Sequence, residues 1–279
     1  MKRKLFITGI VILLIMQLNL YGEIEKSARA TALSGAINTL YDINSIFYNP
    51  AGISLLTGYN LSLSFMPLYN VENLYYFRIA AVIPVKNFNL GIGLFREWLS
   101  HIYSENNFTA TLSHSFSPYI SSGINLKFNL INAPSKNDVS DIKDTLYYIT
   151  FDIGAIIHIF KYLDISFTGA NLTNPTISFS EEDLSKEKLR SFVIGEKINI
   201  RDYFYILLNE QFKENKEVIF NTGSELWLYN TVAVRIGFNE NKGYSMGIGL
   251  KTGRINFDFG LKAYEYLGNL YQFDLNLRY

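Results

Sequence analysis

The chain has 279 residues, 48% apolar and 15% aromatic, with no cysteine and with 25 basic against 25 acidic side chains. The lack of cysteine excludes a disulfide frame, a thiolate metal centre and a cysteine-linked lipid anchor. Zero net charge argues against a nucleic-acid partner, which needs a basic face to neutralise phosphates.

Lys2, Arg3 and Lys4 precede an apolar run from Leu5 to Met16, and Gly22 follows as a small residue. This is the pattern of a secretory signal over residues 1–22, although Leu20 at the −3 position is larger than usual. An uncleaved anchor helix is the competing reading, but the run is shorter than the ~20 apolar residues a spanning helix needs. No later stretch is long enough to cross a membrane as a helix.

Residues 23–57 form a second segment without strand alternation. Ser27 is a candidate N-cap for a helix over Ser27–Leu40, with Leu33, Ile37 and Leu40 on one face. Ala28, Ala30, Ala32, Gly35 and Ala36 keep that helix slim, which suits a crowded barrel lumen or a short helix outside it. Asn49-Pro50 with Gly52 two residues on is a turn signal. The Asn49-Pro50-Ala51 turn reads either as a hinge or as simple shaping of the path into the first strand.

From Tyr59 onward strict alternation recurs, the period-2 mark of a strand with two unlike faces. Tyr59, Leu61, Leu63 and Phe65 alternate with Asn60, Ser62 and Ser64, and Ile124 to Leu130 alternate with Asn125, Lys127 and Asn129. Val232 to Phe238 alternate with Arg235 and Gly237, and Tyr271 to Tyr279 alternate with Gln272, Asp274, Asn276 and Arg278. About 14 such segments fit, each near the ~9–11 residues of a tilted membrane strand; the alternation slips at 188–196 and 203–212. The expected fold is therefore all-β: a transmembrane antiparallel β-barrel over 58–279 with a helical plug at 23–57. A soluble sandwich alternates as well, and alternation alone does not separate the two.

Connection lengths favour the barrel. Short ones near 85–86, 117–118, 161, 229–230 and 252–254 face longer ones near 98–106, 131–144, 172–188, 239–243 and 264–269. Tyr59, Tyr75, Tyr76, Tyr119, Tyr147, Tyr148, Trp227, Tyr229, Tyr244, Tyr264 and Tyr266 are candidates for interfacial girdles. In the lumen, Glu225, Arg235, Lys251, Asp258 and Arg278 are expected to form a charge network, and Gly247, Gly249 and Gly253 to serve as spacers under the plug. Gly247-x-Gly249-x-x-x-Gly253 lies in strand alternation and opens no helix, so it is no dinucleotide fingerprint.

The run Ala28-Arg29-Ala30-Thr31-Ala32-Leu33-Ser34-Gly35-Ala36, followed by Asp42-x-x-Ser45-x-x-Tyr48-Asn49-Pro50-Ala51-Gly52, resembles the N-terminal signature of the PorV/PorQ family. That family lies within the FadL-like superfamily of outer-membrane transporters. Stretches 223–227, 234–238 and 244–250 and the terminal Leu277-Arg278-Tyr279 resemble its C-terminal half. The resemblance implies a 14-strand barrel plugged by residues near 23–55, with Ala32, Gly35, Asn49, Pro50 and Ala51 on the plug and ligand path. It also implies two functions: passive passage of small hydrophobic compounds, or carriage of secreted cargo proteins in a type IX-like system. Unlike FadL, this chain is short and its longest loops are polar, as at 133–138 and 181–188. The terminal Phe273-x-Leu275-x-Leu277-x-Tyr279 resembles the strand that bacterial barrel-assembly machinery reads.

His101, His114 and His158 are far apart and lack metal-ligand spacing, and no nucleophile elbow or phosphate loop occurs. No catalytic residue, metal or cofactor is expected. The expected setting is the bacterial outer membrane, with lipid, the assembly machinery, and hydrophobic molecules or cargo proteins as partners. A structural barrel or weak porin is the third reading.

Overall fold

The computed structural model describes residues 25–279 apart from 70, 101–102, 135–142, 174, 179–184, 188, 241–242 and 265–267. The signal sequence, His101, Tyr266 and most of both long polar loops lie outside the described residues.

The strands are β1 (Asn60–Pro67), β2 (Leu74–Val85), β3 (Phe88–Leu99), β4 (Tyr103–Ser117), β5 (Ile120–Pro134), β6 (Lys143–Phe160) and β7 (Leu163–Ala170). A two-stranded hairpin of β8 (Thr176–Ser178) and β9 (Ser185–Glu187) interrupts the series. Then follow β10 (Ser191–Arg201), β11 (Phe204–Lys213), β12 (Val218–Leu228), β13 (Val232–Asn239), β14 (Gly243–Thr252), β15 (Ile255–Tyr264) and β16 (Gly268–Arg278). Each pairs antiparallel with its neighbour, β7 with β10, and β1 with β16 from Asn60↔Arg278 to Phe65↔Phe273. That last pairing closes a barrel of 14 strands, none of which is left as an edge strand.

Two-sided strands explain the closure. Outward residues are apolar and exposed, with Ile92 at 65% and Ile236 at 60%, while the alternate residues point inward and are largely polar and buried. A polar inside and an apolar outside is the reverse of a soluble β-protein and matches a lipid-facing wall. Both chain ends of the barrel, and the tight turns at 86–87, 118–119, 161–162, 202–203, 229–231 and 253–254, lie at one end, here the terminal end. At the distal end only the connections at 135–142 and 171–190 are long. Those expected to be long at 98–106, 239–243 and 264–269 are short, because the flanking strands continue into them.

The slipped alternation in β10 and β11 has a structural cause. Their outward face carries Glu196 and Glu210 among Phe192, Ile194 and Leu208, while Leu207 points inward with no exposure. The girdle expectation also divides. Tyr59, Tyr119, Tyr147, Tyr229 and Tyr244 are exposed, but Tyr76, Tyr148 and Tyr264 are buried on the inward face. Tyr75, Phe65 and Trp98 instead form an outward aromatic group, with ring centroids 5.9 and 5.6 Å apart.

Residues 25–57 lie inside the barrel. Ser27 caps α1 (Ala28–Ala32), its Oγ accepting from Ala30 N at 3.1 Å. The expected helix to Leu40 stops after Ala32. Ser34 takes φ 51° and Gly35 φ 87°, and Gly35 N donates to Ala30 O while Ser34 N donates to Thr31 O, closing the end as a Schellman motif. An irregular stretch follows to Asp42, then the 3-10 turns η1 (Ile43–Phe47) and η2 (Pro50–Ile53). α1 packs on β13–β16, η1 on β1–β4 and η2 on β4–β6; the irregular stretch faces β7, β10 and β11.

Candidate functional site

The inner segment approaches the wall closely because the wall offers glycines there. A Cβ on Gly123 would stand 2.5 Å from the Pro50 carbonyl, and one on Gly260 would collide with Ala28 O. Ala32 lies against Gly247, whose added Cβ would be 2.5 Å from its own. Gly249 also faces inward, beside Arg235 and Asp258, but Gly253 is a turn residue at φ 57° and not a lumen spacer.

Ion pairs hold one side. Arg29 Nη2 lies 2.6 Å from Glu225 Oε1 and its Nη1 lies 2.9 Å from Asp42 Oδ2. Arg235 bridges Glu225 at 2.6 Å and Asp258 at 2.7 Å. Asp274 Oδ2 accepts from Ala28 N at 3.0 Å and lies 3.3 Å from Arg78 Nη2, and Arg78 also donates to Asn44. Burial alone would lower the Arg29 pKa, but Glu225 and Asp42 outweigh it and hold the guanidinium charged well above its ordinary range. Of the five charges expected to cluster, Glu225, Arg235 and Asp258 do so. Lys251 and Arg278 are exposed at the terminal end and stand outside that cluster, with Arg278 donating to Thr57. Arg29, Asp42, Arg78 and Asp274 were missed as a set. Only their chemical type was legible, since Arg29 and Glu225 are 196 residues apart.

Turn chemistry holds the rest. Asn49 caps η2, its Oδ1 accepting from Ala51 N at 3.1 Å, with Pro50 in the first turn. Its Nδ2 donates to Asn38 O at 2.9 Å. Asn89 Nδ2 donates to Ile53 O at 2.6 Å, and Asn125 Nδ2 to Ile46 O at 2.8 Å. Gly35 O accepts from Asn209 Nδ2 at 2.8 Å.

Two chambers flank this segment. The distal one offers about 130 Å³ of space for water-molecule centres. Amides and hydroxyls line much of it, including Asn107, Asn129, Thr168 and Asn209, while Phe47, Tyr48 and Phe95 form an aromatic patch. Behind the patch lie buried Met66, Leu68, Tyr76 and Leu270, and Lys26 Nζ sits 4.3 Å from the Phe95 ring centroid. The terminal chamber, about 660 Å³ on the same measure, is lined by His158, Asp164, Lys197, Asn199 and Tyr205. There Asp164 lies 2.5 Å from His158 Nδ1 and 2.7 Å from Lys197 Nζ, and the Tyr41 ring stacks on His158 at 5.4 Å. Burial pushes the Tyr41 phenol up to about 12. Among the described residues no three His, Asp or Glu side chains form a metal-binding group.

No family profile and no curated protein matches the chain. Solved structures do match. The CymD monoaromatic hydrocarbon channel is 9% identical, with 91% of this chain and 97% of that one covered at a TM-score of 0.68. A Pseudomonas aeruginosa FadL homologue is 9% identical over 90% and 98%, TM-score 0.66. The P. putida toluene transporter TodX is 11% identical over 92% and 99%, TM-score 0.64. These barrels share the fold of this chain. Identities this low carry the architecture and not the substrate.

Proposed function

We propose that this chain is a FadL-like bacterial outer-membrane barrel that passes small hydrophobic compounds passively, with residues 25–57 as its plug. The observation that carries this reading is the aromatic surface that Phe47 and Tyr48 of the plug and Phe95 of β3 turn into a lumenal chamber lined mostly by polar side chains, with buried Met66, Leu68, Tyr76 and Leu270 behind Phe47 and Phe95. An apolar surface in such a lumen takes apolar solutes out of water. The lipid-facing coat of the wall supports the membrane setting, and two of the similar barrels are named for aromatic hydrocarbons. No energy source enters this reading, so flow follows the gradient.

The test is saturable binding of toluene to the purified protein in mild detergent, followed by equilibrium dialysis. Toluene should bind, and Phe95→Asn should weaken binding at least tenfold. The PorV/PorQ resemblance at 28–52 and 220–279 favours a second reading, a docking barrel for secreted cargo acting through loops 131–144 and 172–188. Stoichiometric secreted protein on the native barrel, with no toluene binding, would establish that reading instead.

A further inference from the structure

We infer that the permeation path crosses the plug along the wall of β7, β10 and β11, with Asn38 as its barrier. This inference rests on the reading of residues 25–57 as a plug. Both chambers reach the same three strands. Thr168, Val193 and Asn209 line the distal chamber, and Asp164, Lys197 and Tyr205 line the terminal one. Between each of these inward pairs lies one further inward residue: Ser166, Gly195 and Leu207.

Asn38 fills that layer at Ser166 and Gly195, and Leu33, Ile37 and Leu40 cover Leu207 beside it. Asn38 Nδ2 donates to Ser166 Oγ at 2.9 Å and its Oδ1 accepts from Thr168 Oγ1 at 3.0 Å. Gly195 makes room for it, since a Cβ there would stand 2.9 Å from the Asn38 Cβ. No ion pair ties Asn38 down, because an amide offers only neutral hydrogen bonds. Such bonds exchange readily with water or a passing solute. Elsewhere the plug meets the wall through backbone on glycine, through amides such as Asn89 and Asn125 on its carbonyls, and through the ion pair of Arg29 with Glu225, and a path past that pair requires separating charges in a low-dielectric lumen.

The chain has no cysteine, so introduced thiols report without background. The experiment uses the mature barrel in planar lipid bilayers and reads single-channel current. Asn38→Gly should raise conductance at least fivefold, and Ser166→Ala, which removes one tether, at least twofold. In the Asn38→Gly background, a charged methanethiosulfonate reagent should block the current through Asn199→Cys, at the terminal chamber. It should leave the current through Asn256→Cys, on the opposite wall, within twofold.

Unchanged conductance in both Asn38→Gly and Ser166→Ala overturns the inference, as does equal block through Asn256→Cys. If Asn38→Gly does not fold, as judged by heat-dependent migration in SDS, the Ser166→Ala result decides and carries the cysteine reporters. The current is carried by ions and needs no hydrophobic solute. Failed toluene binding with a working path, or the reverse, therefore separates this inference from the proposed function.

Discussion

The lumenal segment 25–57 meets the barrel wall in two unlike ways. Against β12–β16 and β2 it is bolted by buried charges: Arg29 to Glu225, Ala28 N to Asp274, with Arg235 and Arg78 behind them. Against β7, β10 and β11 it presents an irregular stretch held by Asn38, by Gly35 O and by the packing of Ile37 and Leu40 on Leu207. The difference teaches where such a lumenal segment can move. A buried ion pair is a poor source of net stability but is very costly to break on one side. Neutral hydrogen bonds and a small apolar contact cost much less to exchange.

The largest expected effect lies in the charged sector. Arg235→Met strands Asp258 and weakens the hold on Glu225, so the unfolding free energy in detergent should fall by about 3–5 kcal/mol, as for other half-broken buried pairs. Leu207→Ala, in the other sector, removes the side chain under Leu33, Ile37 and Leu40 and should cost about 2–3 kcal/mol, at the low end for buried leucines because the irregular stretch can settle. Equal losses in the two variants, read from the same guanidinium titrations, would erase the comparison.

Glycine variants sharpen it at smaller scale. Gly260→Ala meets the Ala28 carbonyl, which is helix backbone and cannot move aside, and should cost about 1–3 kcal/mol. Gly195→Ala meets Ser166 Oγ and Asn209 Oδ1, which can turn away, and the Asn38 Cβ, which moves only with the irregular stretch, and should cost about half as much or less. A larger loss at Gly195 would show that the irregular stretch is the more rigid. Smallest in energy is the exchange of native amides. Protons on residues 36–41 should exchange with deuterium at least tenfold faster than those of α1 and η2, read by mass spectrometry of peptides. Equal protection along 28–53 would make the lumenal segment one cooperative unit.

Much of the barrel was legible along the chain. The alternation of β5, β13 and β16 marks both faces without reference to any partner strand, and the tight turns followed from it. β10 and β11 were hard to read because Glu196 and Glu210 face outward and Leu207 inward, where it packs against Leu33, Ile37 and Leu40 of the lumenal segment. The helix expected to reach Leu40 shows the opposite failure. Spacing of Leu33, Ile37 and Leu40 satisfied a helical face, yet all three gather around Leu207 although Leu33 is the helix C-cap and Ile37 and Leu40 come from a chain that has already left the helix at Ser34. Within the site, Asn49 and Pro50 carried a readable turn signal. Asn38 carried none, since a single asparagine between Ile37 and Thr39 looks like any other until β7 places Ser166 and Thr168 beside it.

Outside β10 and β11, the sequence by itself determined which side chains face out of the barrel and which face the lumen. That property is local: successive residues of an extended chain point to opposite sides whatever the strand pairs with. Only the tertiary structure decided which lumenal groups meet. Closing β1 on β16 sets the register that brings Asp274 to Arg78, and threading residues 25–57 through the ring brings Arg29 to Glu225 and Asn38 to Ser166. Those meetings depend on distances across the ring between residues far apart in the chain, and no local pattern encodes them.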